Sequence, residues 1–213
     1  MKIVNIKDLV IPEIKVIQFA RFGDHRGYFT ETFRKSDFFG HEILSKVFKG
    51  MDFYQVNESF SKKGTVRGLH YQWNPVMGKL VRTVQGRMID MILDIRKGSP
   101  TFGKAIAYDM PSKETDRTGE WIWLPPGFAH GNVFTEDTRI EYFCTGDWSP
   151  SCETGISPLS SDIDWSLCDK SINKEILSAL QDTSLMTEKD IKGFSVKGWE
   201  MDSRSDNFIY GKI

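Results

Sequence analysis

The sequence predicts an all-β protein, a sandwich or barrel of short strands with few helices. Apolar residues recur at every second position in several short runs, Gly/Pro turns separate these runs, and helical spacing is scarce. The chain has 213 residues, 39% hydrophobic and 13% aromatic, which is enough for one domain with a packed core. We therefore predict a single domain over 1–213, with a β core at about 15–165 and a helical or irregular tail at 166–213.

The period-two runs predict the strands in chain order. The first run is broken by Pro12, and the second is expected to stop at Gln85-Gly86. The next run is the clearest, because Ile89 and three later apolar side chains fall on one face of it. The predicted strands cover residues 4–16, 79–84, 87–95, 121–124 and 139–144.

Helical signals are confined to two segments. Ser36–Phe39 has the composition of a short helix start, and Ser171–Leu180 has helical spacing. Ser171 is the predicted N-cap of the second helix, with Glu175 as its capping partner.

Charge and cysteine usage limit the function classes. The net charge is −1 and the basic residues are spread along the chain, so neither a nucleic acid nor a membrane surface is a predicted partner. The three cysteines lack metal-type spacing, and no segment has the length of a membrane span or the pattern of a signal peptide. These features predict a cytoplasmic protein.

Two histidines stand out because each belongs to a glycine-containing segment of the β region. They are His70, in Arg67-Gly68-Leu69-His70, and His130, in Ala129-His130-Gly131. A single histidine in such a place is more often structural, but two of them together with Lys79 favour a site. A barrel metal site would need a second histidine two positions after His70, where the chain has Gln72, so we predict neither a metal nor a cofactor.

Without a metal, a neutral histidine can abstract an acidified C–H proton. It needs a carboxylate that fixes its tautomer, donors for the enolate oxygen, and an acid on the opposite face. Lys79 and His130 are candidate donors, and Tyr142 is a candidate acid, although a core aromatic is the simpler interpretation of Tyr142 alone. On a regular strand, Trp148 would face the same way as Tyr142.

Two arginines are candidate anion clamps, since a guanidinium group binds phosphate through a planar fork. Arg26 lies in a turn after Asp24, and Arg67 precedes the first histidine motif. For either residue taken alone, a surface ion pair is the simpler interpretation.

Several ordered motifs resemble the dTDP-4-dehydrorhamnose 3,5-epimerase family. They span roughly residues 15–165, with a further match at Thr187–Asp190. The matching segments are Phe22–Glu31, Gln55–Asn57, Arg67–Gln72, Lys79–Arg82, Asp94–Gly103 and Pro125–Gly131. The resemblance implies a metal-free, cupin-type jelly roll, and a homodimer with exchanged N-terminal strands. It also implies epimerisation of a 4-keto-6-deoxy nucleotide sugar at C3 and C5, as in dTDP-rhamnose and polysaccharide biosynthesis.

The resemblance also assigns roles by position. His70 matches the base, Asp190 its carboxylate partner, and Tyr142 the acid. Lys79 and His130 match the groups around the sugar 4-oxygen. The matching nucleotide and phosphate contacts, some of them reaching across the dimer, are Phe22, Arg26, Glu31, Gln55, Asn57 and Arg67.

The chain departs from the family pattern at three places. Trp148 stands where a tyrosine is usual, Asn132 where a phenylalanine is common, and Ser157–Asp162 replaces an Asp-Asp-Pro stretch. Trp148 leaves open an enzyme that inverts only C3 or only C5. The sequence also leaves open a keto-isomerase on the same barrel and a non-catalytic nucleotide-sugar binding protein.

Overall fold

The computed structural model describes residues 1–213, and ten of its twelve strands form one continuous sheet folded into two layers. The all-β prediction is confirmed. The strands are β1 Ile3–Asp8, β2 Lys15–Ala20, β3 Phe22–Asp24, β4 Gly27–Phe29, β5 Gln55–Ser61, β6 Val66–Gln72, β7 Lys79–Asp94, β8 Ala105–Ser112, β9 Thr118–Leu124, β10 Phe128–Phe134, β11 Thr138–Cys144 and β12 Glu153–Gly155.

All strand neighbours in the two layers are antiparallel. The first layer has the order β1-β2-β9-β7-β11-β5, and the second has the order β8-β7-β10-β6-β12. Strands β3 and β4 pair only with each other and form a separate hairpin.

Strand β7 belongs to both layers. Its first half pairs with β9 and β11, and its second half, from Gly86 onward, pairs with β8 and β10. The predicted strand end at Gly86 is therefore wrong. Gly86 has φ +92°, and a Cβ there would lie 2.6 Å from the carbonyl oxygen of Asp137. Glycine thus lets the strand turn the corner without ending.

Side-chain alternation along β7 fills two different cores. Ile89, Met91 and Leu93 pack in the outer core, between the second layer and the C-terminal segment. Met88 and Ile92 pack in the inner core, between the two layers. The predicted apolar face of this strand is confirmed, and the residues between its members point inward.

Short helices cover the outer faces of the sheet. The helices are α1 Lys35–Gly40, α2 Leu44–Val47, α3 Lys170–Ala179, α4 Glu188–Ile191 and α5 Val196–Met201, with 3₁₀ turns at Pro150–Cys152 and Ser203–Asn207. Phe38 and Phe48 pack on the first layer, whereas Ile176 and Trp199 pack on the second. No helix is both long enough and apolar enough to span a bilayer.

The start of α3 differs from the prediction. Asp169 is the N-cap, because its carboxylate accepts the backbone N–H groups of Ser171 and Ile172. Ser171 therefore lies inside the helix, and Glu175 does not cap it. Glu175 instead accepts a 2.8 Å hydrogen bond from Nη1 of Arg87.

Candidate active site

A cavity of about 290 Å³ is bounded by strands of both layers. Its wall combines β5, β7 and β11 of the first layer with β6 and β12 of the second. Five predicted site residues line it: Gln55, Asn57, Lys79, Tyr142 and Trp148.

Tyr142 occupies the middle of β11, between β5 and β7. It lies opposite Asn57 on one side and Val81 on the other, and it packs against the inner core. Burial raises the pKa of Tyr142, and the nearby charges of Cys144 and Glu153 add to this, outweighing the hydrogen bond with Asn57. The phenol therefore keeps its proton at neutral pH and can serve as a proton donor.

Lys79 is the cation of the cavity wall. Its Nζ lies 5.9 Å from the centre of the Tyr142 ring. Burial lowers the pKa of Lys79, and nearby acidic groups, including Glu153, oppose this shift only in part. A desolvated ammonium group interacts strongly with any negative charge that develops in the cavity.

His70, on β6, forms a close pair with Asp190. The distance from Nε2 to Oδ1 is 2.6 Å, and the side chain of Asp190 is almost fully buried. Burial acts to raise the pKa of Asp190, but hydrogen bonds from His70, Thr187 and the Gly68 backbone outweigh it and leave this pKa lowered. The carboxylate is thus ionised and holds one nitrogen of the imidazole, which leaves Nδ1 available.

Asp190 is positioned by the first turn of α4. Thr187 is the N-cap of this helix, and its Oγ1 accepts the backbone N–H of Asp190. The helix thereby presents the carboxylate to β6, with which it is in contact.

His130, on β10, lies opposite His70 in the register of β10 and β6. Its Nδ1 is 3.4 Å from Oδ1 of Asp90. Burial lowers the pKa of His130 well below its usual value, and the positive charges of Lys79 and His70 act in the same direction. His130 is therefore neutral at physiological pH.

Each histidine motif contains a glycine, Gly68 or Gly131, at the point where β6 and β10 approach each other closely. A Cβ on Gly68 would lie 2.5 Å from Cα of Gly131, and a Cβ on Gly131 would lie 2.2 Å from the carbonyl oxygen of Arg67. The two strands approach so closely here that no side chain fits between them. The glycines thus bring His70 and His130 side by side.

Neither histidine, nor Asp190, is among the side chains that form the cavity wall. Both histidines are nevertheless coupled to that wall by charge. His70 acts on the carboxylate of Glu153, and Lys79 acts on His130. Each histidine therefore lies near one ionisable group of the wall.

Glu153 and Lys189 are site residues that were not predicted from the sequence. Glu153 lines the cavity and accepts hydrogen bonds from Nζ of Lys189, at 2.9 Å, and from Nε1 of Trp148, at 3.3 Å. The backbone N–H of Trp148 donates to Gln55 at 2.9 Å. The only sequence signal for Lys189 was its place next to Asp190 in a segment that matches the family. Glu153 gave no signal, because it lies on a three-residue strand that is too short to show periodicity.

Four predicted substrate contacts do not line the cavity. Phe22 and Arg26 lie on the exposed β3–β4 hairpin, where Arg26 pairs with Asp24 at 2.7 Å. Glu31 pairs with Arg34, and Nε of Arg67 donates to Ser61 at 2.9 Å. Within one chain, Phe22 is thus exposed, and the three charged side chains bind other groups.

No group of three or more histidine, cysteine, aspartate or glutamate side chains in the structure is arranged to hold a metal ion. The carboxylates of the site contact imidazole, amide, ammonium or indole N–H groups instead.

Comparison with known proteins gives a consistent family. The family model described as dTDP-4-dehydrorhamnose 3,5-epimerase matches residues 8–197. The curated enzyme of that name from Shigella flexneri is 39% identical over 191 residues, which are 89% of this chain and 94% of that protein. The one from Pseudomonas aeruginosa is 36% identical over 191 residues, covering 87% of this chain and 92% of that protein.

A solved structure gives the same result for the fold. It is the dTDP-6-deoxy-D-glucose-3,5-epimerase of Legionella pneumophila, in complex with dTDP-4-keto-L-rhamnose. It superimposes with a TM-score of 0.77 at 30% identity, covering 96% of this chain and 97% of that one. The predicted cupin-type jelly roll is thereby confirmed. The chain belongs to the dTDP-4-dehydrorhamnose 3,5-epimerase family of nucleotide-sugar isomerases.

Proposed function

We propose that this protein epimerises a dTDP-linked 4-keto-6-deoxyhexose, of the dTDP-4-dehydro-6-deoxyglucose type, at C3 and C5. The observation that carries the proposal is the 2.6 Å His70–Asp190 pair beside a cavity whose wall holds Lys79 and Tyr142. The pair supplies a base, the wall supplies a cation and an acid, and a ketone at C4 acidifies both neighbouring C–H bonds.

His70 is the base in this proposal. Because Nε2 is bound to Asp190, Nδ1 takes the proton from C3 or C5, and the ionised carboxylate stabilises the imidazolium that results. The electron pair of the broken C–H bond forms the enolate, whose negative charge collects on the 4-oxygen.

The enolate oxygen needs donors that are already in place. Lys79 and the ring N–H of His130 fill this role, and the loss of one such donor commonly costs about 10²–10³ in kcat. The low-dielectric surroundings that shift the pKa values of both groups also strengthen their interaction with the new charge.

Tyr142 is the acid that completes the inversion. By the parity of β11, the Tyr142 side chain lies on the inner face of the first layer. His130 shares its face of the second layer with the inner-core residues Phe128 and Phe134, and the base, His70, lies opposite His130 and so on the same face. A sugar ring between the layers would have the base on one face and the phenol on the other. Tyr142 donates its proton to the carbon, and the tyrosinate and the imidazolium then exchange protons with solvent.

The nucleotide site is proposed to be shared between two subunits. Phe22 and Phe29 of the hairpin are 51% and 67% exposed, and Val56 and Phe60 on β5 are 52% and 54% exposed. Strand β5 is also an unpaired edge of the first layer. Exposed apolar groups on a free edge favour pairing with another chain. A homodimer with exchanged N-terminal strands would cover these surfaces and carry Phe22, Arg26 and Glu31 to the partner's cavity, where Arg67, Gln55 and Asn57 complete the nucleotide site.

The catalytic proposal is tested by NMR of dTDP-4-dehydro-6-deoxyglucose in D₂O. We expect deuterium to enter at both C3 and C5 with the parent protein. With His70→Asn we expect exchange to be lost while dTDP binding, measured by calorimetry, is kept. If the parent binds the nucleotide but shows no exchange at either carbon, the chain is a binding protein and the proposal is wrong.

An enzyme that inverts a single carbon is the second candidate, because Trp148 replaces a smaller side chain in the cavity wall. Its indole N–H is bound to Glu153, and the side chain is still 57% exposed. The same NMR experiment distinguishes the two candidates, since deuterium incorporation at only one of the two carbons would identify this activity. Trp148→Tyr restores the usual residue and should then permit exchange at the second carbon.

The shared site is tested by mixing two inactive variants, Arg26→Ala and His70→Asn. If Arg26 acts across the dimer, a heterodimer contains one complete site. Random reassociation of equal amounts should then restore about a quarter of the parent activity. If Arg26 acts within its own chain, no complete site forms and the mixture stays inactive.

A further inference from the structure

Asp90 is a fully buried carboxyl group on β7 that the mechanism above does not use. It lies opposite Asn132 in the register of β7 and β10. Its Oδ1 is 3.3 Å from Nδ2 of Asn132 and 3.4 Å from Nδ1 of His130, and its Oδ2 has no hydrogen-bond partner. A buried carboxyl group so weakly satisfied needs a reason to be there.

The charge state of Asp90 follows from its surroundings. The only basic group within ion-pairing distance is His130, at a separation longer than the 2.7–2.9 Å typical of charge-assisted hydrogen bonds. Burial raises the pKa of Asp90 well above its usual value, and the more distant positive charge of Lys79 only partly opposes this. The pKa of His130 is lowered well below its usual value, as described above. Both shifts favour a protonated carboxyl group next to a neutral imidazole.

That charge state decides which ring nitrogen of His130 carries the proton. A protonated carboxyl group donates to Nδ1, so the ring proton must be on Nε2, on the far side of the ring from Asp90. An ionised carboxylate would do the opposite, because it would hold the proton on Nδ1 and leave Nε2 as a lone pair. A lone pair there would repel an enolate oxygen.

We propose that Asp90 is a positioning residue that donates a hydrogen bond to Nδ1 of His130 and thereby holds it as the neutral Nε2–H tautomer, a donor to the sugar 4-oxygen. The inference rests on the proposed function for the role of His130, but the tautomer itself is a property of the free protein. Asn132 fixes the rotation of the carboxyl group through its amide. This residue stands where the family commonly has a phenylalanine, so this second hydrogen bond is a feature of this chain.

The direct test is ¹⁵N NMR of the histidine-labelled protein without ligand, with the His130 signals assigned by their loss in His130→Gln. We expect a protonated Nε2 and an unprotonated Nδ1. A proton on Nδ1, in either the neutral or the doubly protonated ring, would overturn the proposal. This result does not depend on turnover, so it separates failure of this inference from failure of the proposed function.

Two substitutions add a kinetic test. Asn resembles a protonated Asp, so Asp90→Asn should keep the Nε2–H tautomer and a kcat within about threefold of the parent, since its amide can donate to Nδ1. Asp90→Leu removes the hydrogen bond that holds the His130 ring, so it should lower kcat by about tenfold or more with KM little changed. This loss is smaller than the roughly 10²–10³ loss in kcat expected when such a donor is removed entirely. If Asp90→Asn loses as much activity as Asp90→Leu, the ionised carboxylate is the working form and the proposal fails.

Discussion

His70 and His130 lie opposite each other on β6 and β10, and each has its own aspartate: Asp190 at 2.6 Å from His70 and Asp90 at 3.4 Å from His130. Asp190 has a lowered pKa and is ionised, whereas burial raises the pKa of Asp90, which favours the protonated form that we propose for it. Environments that separate the pKa values of similar groups give them different chemical roles. In the proposed mechanism, they distinguish His70, which accepts a proton, from His130, which donates a hydrogen bond.

Asp190→Asn should lower kcat by about 10²-fold or more with little change in KM, because the amide cannot stabilise the imidazolium of His70. The rate of deuterium wash-in measures it. Glu188→Gln is the matched control, since this carboxylate lies on the same helix with its side chain 78% exposed. Equal losses in the two variants would indicate a general effect on α4 and would argue against a role of the His70–Asp190 pair in catalysis.

The alkaline limb of the pH–rate profile should belong to Lys79. Burial lowers its pKa, so the ammonium group loses its proton, and the cavity its cation, at a lower pH than an ordinary lysine would. Tyr142 has a raised pKa and stays protonated over the same range. Lys79→Arg keeps the charge and should move the limb to higher pH, even at a reduced maximum rate. A limb that does not move in this variant would assign it to another group.

Gly86→Ala should lower the free energy of unfolding by about 1–3 kcal/mol, because the residue has a positive φ and no room for a Cβ. Urea unfolding followed by circular dichroism measures this loss. Gly40→Ala is the control, since Gly40 lies in α1 with nothing near its missing Cβ, and we expect a change within about 0.5 kcal/mol. Equal stability of both variants would mean that the corner of β7 relaxes freely.

Phe60→Glu should weaken the proposed dimer, because it places a charge on the exposed face of the unpaired β5 edge. Light scattering after gel filtration should show a shift toward monomer, with a parallel loss of activity at low protein concentration. Met201→Glu alters another exposed apolar residue, 87% exposed on α5, and should leave the mass unchanged. A monomeric parent with full activity would contradict both the dimer and the shared site.

The strands could be predicted because the alternation of apolar and polar side chains along a strand is visible in a few consecutive residues. The face formed by Ile89, Met91 and Leu93 was predicted correctly, and all three lie in one core. The continuation of β7 through Gly86 was not predicted, because a glycine that bends a strand and one that ends it look the same in sequence. The cap of α3 was misassigned to Ser171 because Asp169, two residues earlier, offers a carboxylate to the same backbone groups.

The site was harder to predict because its members are distant in the chain. Asp190 lies 120 residues from His70, and only the family resemblance connected them. Asp90 lay within the clearest predicted strand, yet alternation alone did not reveal that its face borders the site. Glu153 and Lys189 belong to short elements whose position is fixed by tertiary packing.

The corner of β7 also sets the distance between two ionisable groups, Lys79 and Asp90. A straight strand from Lys79 to Asp90 would be about 36 Å long, too far for the ammonium group to affect the pKa of the carboxyl group. The bend at Gly86 brings the two ends of this segment closer together, and the ammonium group of Lys79 partly opposes the raised pKa of Asp90. Lys79 and Asp90, the carboxyl group next to His130, therefore belong to one uninterrupted strand, and their relative position depends on its bend. Since β7 passes from one layer to the other at Gly86, we expect the bend angle there to determine the separation of the two layers around the substrate.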